Sequence, residues 1–241
     1  MALGERNLKI AYLNNVPKNS ESERPYSGID AAYPASSPVD GFSESNLFCY
    51  YQNIRSVVNK KDTFFLAALH CHYDLILLSE TWLRPSIASS EFIDLSVFHM
   101  VRHDRARRTG GGVLIAIRNT LKFRGIDFGP GRADFPDIAL AGVFIASVVD
   151  PSIFIIVVYI PPSTSLVVYE DFLDFLIEKF ELLGDQVIIS GDFNVPRLDS
   201  SDSRPHDRRV LLIGSFRDFL QLLQRNHIVN CMGYSLDLVL S

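Results

Sequence analysis

The sequence predicts an α/β fold, a sandwich of two mixed β-sheets flanked by helices, and three observations support this prediction. Apolar runs of strand length alternate with amphipathic runs along most of the chain. The longest apolar stretch, residues 138–160, is interrupted by Asp150-Pro151-Ser152, which is typical of a turn between two strands. A helix with one apolar face follows that pair. Strands, a hairpin and helices mixed along one chain favour mixed sheets over a wholly parallel sheet.

The first half of the predicted domain contains three strands and one helix. Leu47–Tyr51, Leu75–Leu78 and Gly112–Ile117 are short apolar runs of strand type. Three glycines mark where the third of these strands begins. Between the first two strands, Asp62–His70 has the apolar spacing of a short helix, with one face formed by Phe64, Phe65, Ala68 and Leu69.

The second half contains the hairpin, two helices and two more strands. Ile138–Val149 and Ile153–Ile160 are the hairpin strands, and their Val, Ile and Phe content favours strand over a membrane helix. Tyr169–Leu183 is the clearest helix, because its apolar residues recur at spacings of three and four. The remaining predicted elements are a strand at Val187–Ser190, a helix at Val210–Leu223 and a strand at Leu236–Leu240.

Composition and charge are those of a globular protein. The chain has 241 residues, of which 47% are hydrophobic, and its formal net charge is −5. This charge argues against a polycation that coats nucleic acid, but it is compatible with an enzyme that meets a polyanion through a metal ion and a few arginines. Cys49, Cys71 and Cys231 show no paired spacing, so we expect free thiols. Neither a signal peptide nor a membrane span is predicted, so we expect a protein that is not secreted and contacts no membrane.

Residues 1–45 are predicted to be a flexible leader. The part from residue 20 to residue 45 is rich in serine and proline and has little periodic apolar pattern. We therefore expect a single domain at residues 46–241.

Uncommon polar residues end several of the predicted strands at the same relative position. Asn53, Glu80 and Tyr159 each lie at the end of an apolar run, and Asp192 and Asn194 follow another. If these strands lie side by side, their polar ends converge on one edge of the sheets. The set contains oxygen ligands and neither cysteine nor histidine, which favours Mg²⁺ or Mn²⁺ over softer metals. Such an ion neutralises phosphate oxygens, so the pattern predicts phosphoester hydrolysis.

Five motifs occur in the order and approximate spacing of one known family. They are YYQN at 50–53, LLSETWL at 77–83, GGGVLIAI at 110–117, VYIPP at 158–162 and SGDFN at 190–194. In these residues the sequence resembles the endonuclease/exonuclease/phosphatase superfamily, whose fold is DNase I-like. SETWL, Asp104-Arg105 followed by Gly110–Val113, and a closing LDLVLS at 236–241 are most similar to the endonuclease domain of insect jockey-like non-LTR retrotransposons. The resemblance covers about residues 47–241.

The resemblance implies a role for each of these strand-end residues. Glu80 would be the principal metal ligand, and Asn53 would lie beside it and hold the metal-bound phosphate. Asp192 would orient or activate the attacking water. Asn194 would donate a hydrogen bond to a non-bridging phosphate oxygen as charge develops there, and Tyr159 would contact the scissile phosphate.

The end of the sequence departs from the family pattern. Asp237, in LDLVLS, matches an acid of the active-site floor, and the family places a Ser-Asp-His segment some tens of residues beyond it. The sequence ends at Ser241, and His227 precedes the matching strand instead of following it. We therefore expect a C-terminally incomplete domain without the general-base histidine and without its last core strand. Loss of an oriented general base lowers a rate by about 10²–10⁴.

A basic run and a single tryptophan lie near the predicted site. Arg102, Arg105, Arg107 and Arg108 form the basic run, which is either a solvated loop or a contact to the DNA backbone. The resemblance adds weight to DNA contact, because this loop precedes the glycine-led strand. Trp82 follows Glu80-Thr81, and we interpret it as a packing anchor for the metal ligand rather than a platform for base stacking.

The strand-end residues predict phosphoester hydrolysis with Mg²⁺ or Mn²⁺. The resemblance implies an endonuclease that nicks double-stranded DNA for target-primed reverse transcription of a non-LTR retrotransposon. In a full-length element the resemblance implies a C-terminal reverse transcriptase domain, and the DNA substrate implies a nuclear location. We expect the domain to be a monomer. Two alternatives stay open: an inactive remnant of such a domain, and a phosphatase of the same superfamily that acts on small phosphoesters.

Overall fold

A mixed sheet of five strands forms the first half of the fold. The computed structural model describes residues 9–12, 47–105, 110–146, 152–181, 186–195, 208–226 and 237–241. In chain order this sheet contains β1 (Lys9–Tyr12), β2 (Phe48–Asn53), β3 (Leu75–Ser79), β4 (Phe98–His103) and β5 (Val113–Arg118). The spatial order is β1-β2-β3-β5-β4. The first three strands are parallel, and β5 runs antiparallel to both of its neighbours.

A second mixed sheet forms the other half. It contains β6 (Phe123–Gly125), β7 (Ala139–Ile145), β8 (Ile153–Tyr159), β9 (Gln186–Asp192) and β10 (Asp237–Leu240). The spatial order is β10-β9-β8-β7-β6, in which only β8 and β9 are parallel among the described strands. The antiparallel pairing of β7 with β8 confirms the predicted hairpin, although the residues of its turn, 147–151, lie outside the described residues.

Helices cover the outer faces of the two sheets. Within the described residues these are α1 (Lys61–His70), α2 (Leu166–Glu181) and α3 (Arg208–Phe219). Side chains of α1 join a buried cluster with the first sheet, and side chains of α2 and α3 join another with the second sheet. This arrangement confirms the predicted sandwich of two mixed sheets flanked by helices.

The alternation of side chains along the strands explains the continuous apolar runs of the sequence. Odd-numbered residues of β2, β3, β5, β7 and β8 fill the layer between the sheets, as Cys49 and Ile115 do. Even-numbered residues of the same strands, such as Ile76 and Val158, face the helices. Because both faces of the central strands are buried, nearly every position is apolar.

Three strands of the structure were not predicted from the sequence. Among the described strands, β4 and β6 each pair with one neighbour, and most of their side chains are half-buried or exposed, so their apolar pattern is weak. The strand β1 lies within the predicted leader of residues 1–45 and pairs with β2. The rest of that leader lies outside the described residues, so its flexibility stays a prediction.

Two smaller predictions differ from the structure in detail. The helix α2 begins at Leu166, before the predicted Tyr169, because the preceding Ser165 caps it through a hydrogen bond from Val168 N–H to Ser165 Oγ at 3.3 Å. On α1, Phe64 and Ala68 are buried as predicted, but Leu69 is 38% exposed.

Two expectations from the sequence concern free thiols and membrane spans. Cys49 and Cys71 are buried free thiols, as predicted, and Cys231 lies outside the described residues. No helix among the described residues is long and apolar enough to cross a membrane.

Candidate active site

Polar residues at the ends of five strands lie at one edge of the two sheets. Asn53 ends β2 opposite Ser79 of β3, and Tyr159 ends β8 opposite Asp192 of β9. Asp237 begins β10 opposite the same Asp192. Each of these residues lies an even number of positions from the residues of its strand that face the layer between the sheets, so its own side chain points the same way. The polar side chains therefore close the inter-sheet layer at this edge.

Asn53 is the amide that links the two sheets. Its Nδ2 donates to Asp192 Oδ2 at 2.9 Å and to Glu80 Oε1 at 3.3 Å. Its Oδ1 is buried and accepts no hydrogen bond from the described residues. A buried carbonyl oxygen without a donor is costly. A cation or a water molecule beside Oδ1 would remove that cost.

Glu80 follows β3 in an unusual backbone conformation. Its φ is 51° and that of Trp82 is 56°, a left-handed region that residues other than glycine seldom occupy. Two backbone hydrogen bonds to the glycine segment hold this turn: Thr81 N–H donates to Gly112 O at 3.3 Å, and Trp82 N–H donates to Gly111 O at 2.9 Å. Backbone strain of this kind concentrates at functional sites.

The glycines before β5 allow this close approach. A Cβ atom on Gly112, whose φ is 85°, would lie 2.6 Å from Thr81 Oγ1. A Cβ atom on Gly111, whose φ is 73°, would lie 2.5 Å from Arg105 Cδ and 2.7 Å from Tyr159 Cε1. The sequence predicts that these glycines begin a strand and form part of a family motif, but it does not predict their contact with the turn at Glu80. The uninterrupted run of three glycines is the sequence signal for such a close approach.

Tyr51 and Ser79 support the acid of the site floor. Tyr51 donates from its hydroxyl to Asp237 Oδ1 at 2.6 Å, and the same hydroxyl shares a hydrogen bond with Ser79 Oγ at 2.9 Å. Asn226 Nδ2 donates to the Asp237 backbone carbonyl at 2.7 Å. The sequence did not predict that these three residues hold Asp237, although Tyr51 lies in the YYQN motif and Ser79 in the LLSETWL motif.

The acids of this site are buried close to one another. Burial, followed by the negative charges of Asp237 and Glu80, raises the pKa of Asp192 well above its usual range. Burial also raises the pKa of Asp237 to about 6, in spite of the hydrogen bond from Tyr51. Burial and the charge of Asp237 raise the pKa of Tyr51, which therefore stays a neutral donor.

The raised pKa values predict how stability depends on pH. An acid whose pKa is raised by folding favours the protonated folded state, so the free energy of unfolding falls as pH rises from its ordinary pKa towards the raised one. For Asp237 this window runs from 3.8 to about 6. We expect the melting temperature, measured in chelator by circular dichroism, to fall across this window.

Two variants test the origin of that fall. Asp237→Asn removes one of the buried acids, so its melting temperature should fall less steeply with pH. Asp174→Asn, at an exposed position of α2, should keep the slope of the wild type. Equal slopes in all three proteins would contradict the prediction.

Tyr159 lies against Arg105 and beside the acids. The tyrosine is buried, and the Arg105 Cζ atom lies 5.6 Å from the centroid of its ring. Burial and the charges of Glu80 and Asp192 raise the pKa of Tyr159 to about 12, with Arg105 opposing this effect. The phenol is therefore neutral at physiological pH and can donate a hydrogen bond.

Asn194 holds Asp192 through its backbone. Its N–H donates to Asp192 Oδ1 at 3.0 Å, and its side-chain Nδ2 donates to the Ile160 carbonyl at 2.8 Å. Its φ is 50°, again in the left-handed region. The resemblance implies that Asn194 contacts the phosphate, and the structure places Asn194 beside Asp192.

The arginines of the basic run make contacts within the protein. Arg102 donates to the carbonyls of Ile87 at 2.7 Å and Arg84 at 3.2 Å, and it forms an ion pair with Asp104 at 3.0 Å. Arg105 is buried and forms an ion pair with Asp137 at 3.5 Å. The predicted DNA-contacting residues Arg107 and Arg108 lie outside the described residues.

Trp82 does not pack beneath the turn that contains Glu80. Its side chain is 41% exposed, whereas the neighbouring Thr81 and Leu83 are buried. The interpretation of Trp82 as a packing anchor is therefore wrong. Leu83 takes the buried position of this turn, and the indole faces a surface cavity.

The oxygen atoms of Glu80 and Asn53 fit a hard cation, although the described residues form no ready-made cluster of metal ligands. Within the described residues, no three aspartate, glutamate, histidine or cysteine side chains are grouped so as to hold a metal ion. The half-buried Glu80 carboxylate and the unpaired Asn53 Oδ1 are the available oxygen ligands. Mg²⁺ commonly binds through one or two protein oxygens and keeps waters or phosphate at its other positions.

The fold is that of the DNase I-like class. A sequence profile described as "Endonuclease/Exonuclease/phosphatase family" matches residues 46–236. The chain therefore belongs to the Endonuclease/Exonuclease/phosphatase family, which confirms the resemblance given by the motifs. Nucleases of this superfamily generally use divalent metal ions. A search of curated proteins finds no relative of this sequence.

Solved structures share the fold but little sequence. The AP endonuclease LMAP from Leishmania major has a TM-score of 0.59 and 13% identity, over 79% of this chain and 77% of that chain. An AP endonuclease from Archaeoglobus fulgidus has a TM-score of 0.57 and 16% identity, over 79% of this chain and 84% of that chain. The endonuclease domain of TRAS1, a telomere-specific non-LTR retrotransposon, has a TM-score of only 0.48 and 14% identity, over 70% and 72%. The likenesses to the two AP endonucleases establish the fold alone.

Proposed function

We propose that this chain is a Mg²⁺-dependent endonuclease that hydrolyses phosphodiester bonds of DNA. The observation that carries the proposal is the contact among Asn53, Glu80 and Asp192. The amide donates to one carboxylate from each sheet, while its own oxygen stays buried and unpaired. This oxygen-only donor set suits Mg²⁺, and Mn²⁺ accepts the same ligands.

Glu80 and Asn53 would hold the ion. When bound, the ion would withdraw charge from the phosphate oxygens and so favour attack by water. Asn53 fixes the position of the Glu80 carboxylate by donating to it at 3.3 Å. The strained turn at Glu80 and its hydrogen bonds to the glycine segment keep the carboxylate at the edge of the sheet.

Asp192 would orient the attacking water and accept its proton. Both of its oxygens are fixed, one by Asn194 N–H at 3.0 Å and the other by Asn53 Nδ2 at 2.9 Å. The raised pKa of this carboxyl favours retention of a proton taken from water. The neutral Tyr159 phenol, the nearby Arg105 and the amide of Asn194 would contact the phosphate, and Asp237 would fix the site floor through Tyr51.

The sequence motifs support a particular biological role. SETWL at 79–83 and LDLVLS at 236–241 are most similar to the endonuclease domains of non-LTR retrotransposons. In that role the chain would nick double-stranded DNA and expose a 3′-hydroxyl that primes reverse transcription. A reverse transcriptase domain of the same element would extend the primer in the nucleus, and the endonuclease domain would act as a monomer.

Plasmid nicking tests the proposal directly. We expect the full chain to convert supercoiled plasmid to the open-circular form in Mg²⁺, and excess chelator should stop the reaction. Glu80→Gln keeps the shape of the side chain but removes its charge. This variant should nick at least about 10²-fold more slowly, which is the scale of losing a positioned catalytic group.

A matched charge control separates this effect from a general change in charge. Glu178→Gln, at an exposed position of α2, should nick at the rate of the wild type. Equal nicking by all three proteins would contradict the assignment of Glu80. Release of phosphate from inositol phosphates without nicking would favour the phosphatase alternative. A folded chain that hydrolyses neither substrate would favour the inactive remnant.

A further inference from the structure

A surface cavity of about 380 Å³ lies beside the candidate active site. Its lining includes residues that lie within six positions of the two proposed metal ligands: Ser56 and Asn59 follow Asn53, and Trp82 and Arg84 follow Glu80. This volume lies within the range of about 300–1,000 Å³ that is typical of small-molecule sites. Ser56 also donates its backbone N–H to the Glu80 carbonyl at 2.8 Å, so the cavity is a candidate subsite for part of the substrate.

The indole of Trp82 is held outside the core by the backbone on both sides. Thr81 and Leu83 are buried, and Trp82 N–H donates to Gly111 O at 2.9 Å. The φ of 56° at Trp82 is strained for a bulky residue. This strain places a large aromatic ring where it is 41% exposed and gains little from packing. An observed outlier of this kind points to function.

The chemistry of the lining fits a nucleotide. Besides the indole, the cavity presents the exposed Asn59 amide, the exposed Ser86 hydroxyl and the exposed Arg84 guanidinium. No carboxylate side chain is among the described residues that line it. A cavity near Pro161, in contrast, is lined by Asp134 and Asp137, which would repel a polyanion. Aromatic rings stack on bases, and guanidinium groups bind phosphate.

We propose that Trp82 stacks on a nucleobase of the substrate strand next to the cleaved phosphodiester, where the duplex partly unstacks to admit the ring, with Arg84 contacting the adjacent backbone phosphate. This inference rests on the proposed function, because it assumes a nucleic-acid substrate. Gly110 lies at the ring edge, where a Cβ atom would be in ordinary van der Waals contact with Trp82 Nε1 at 3.7 Å. The stacking interaction tolerates any base, because every base has a π-face. Trp82 therefore adds affinity and positions the strand without selecting a sequence.

Intrinsic fluorescence gives a direct test, because Trp82 is the single tryptophan of the chain. A short duplex with a hydrolysis-resistant phosphorothioate backbone is titrated into the full chain in Mg²⁺. We expect saturable quenching of the emission, since a stacked base contacts the indole itself. Heparin, a polyanion without bases, should quench far less. An absence of quenching, or equal quenching by heparin, would overturn the inference.

Variants test the same contact through affinity, measured by the anisotropy of labelled DNA. Trp82→Ala should bind about 5-fold to 100-fold more weakly, as expected for loss of one stacked base. Trp82→Phe keeps an aromatic face and should stay within about threefold of the wild type. Phe219→Ala, at an aromatic position of α3 that is 56% exposed, should bind like the wild type. Equal affinity of Trp82→Ala and the wild type would overturn the inference.

The two proposals fail in distinguishable ways. If the wild type nicks plasmid but its fluorescence and the affinity of Trp82→Ala are unchanged, the endonuclease stands and the stacking subsite does not. If DNA quenches Trp82 and Trp82→Ala weakens binding, but no nicking occurs, the subsite stands and the hydrolytic function does not.

Discussion

Replacing Asp192 by asparagine is expected to lower the nicking rate by about 10²–10⁴-fold while the melting temperature rises. Asparagine has nearly the same shape, but it cannot accept a proton from water. It also removes a carboxyl group whose charged form is destabilised by burial and by the charges of Asp237 and Glu80, which together raise its pKa. The loss of activity and the gain in stability should be measured on the same preparation, with chelator in the melting experiment.

The opposite signs of these two effects make the result specific. Rotation of the Asn53 amide would let its unpaired Oδ1 accept a hydrogen bond from the introduced amide, so the replacement fits the buried space. Asp171→Asn, at an exposed position of α2, should change neither quantity. If Asp192→Asn lowered both activity and melting temperature, Asp192 would be a residue of the fold rather than a base positioned for hydrolysis.

Gly191→Ala is expected to destabilise the chain by about 3 kcal/mol or more. A Cβ atom at this position would lie 2.0 Å from the Val158 carbonyl oxygen and 2.8 Å from the Val158 nitrogen. These are backbone atoms of β8, which pairs with β9 at this point in the centre of the sheet, so they cannot move aside. Urea unfolding, or the yield of soluble protein where unfolding is complete, measures the loss.

A second glycine provides the matched control. Gly214 lies within α3, and a Cβ atom there would meet nothing within 4 Å. Gly214→Ala should therefore stabilise the chain by about 0.5–1 kcal/mol, because alanine loses less conformational freedom in a helix. Similar stabilities of the two alanine variants would show that β9 can shift away from β8 at Gly191, against the expectation.

The central strands could be predicted because burial on both faces leaves a strong sequence signal. The runs that contain β3 and β8 are apolar at nearly every position, and the structure buries every residue of both strands. The strand β4 gives no such signal, since only Phe98 is fully buried among its six residues. Its place is set by pairing with β5, a tertiary contact that local pattern does not report.

The site was predictable only where a residue type was unusual for its local position. Acids and amides that end apolar strands stand out, so Asn53 and Asp192 could be found, and they are hydrogen-bonded in the structure. Asp237, which begins its strand opposite Asp192, was identified only through the resemblance of its motif. Tyr51 could not be found, because an aromatic residue inside a strand is ordinary and its role depends on a partner in the other sheet. For Trp82, sequence reasoning found the residue but not its exposure, because a left-handed φ is not apparent from residue type.

The hydrogen bond between Tyr51 and Asp237 joins residues that are 186 positions apart, and the bond between Asn53 and Asp192 joins residues that are 139 apart. Closing loops of this length costs chain entropy that only later contacts repay, so such pairs form slowly. Because each of these hydrogen bonds joins one sheet to the other, the candidate site is complete only when both sheets are in place.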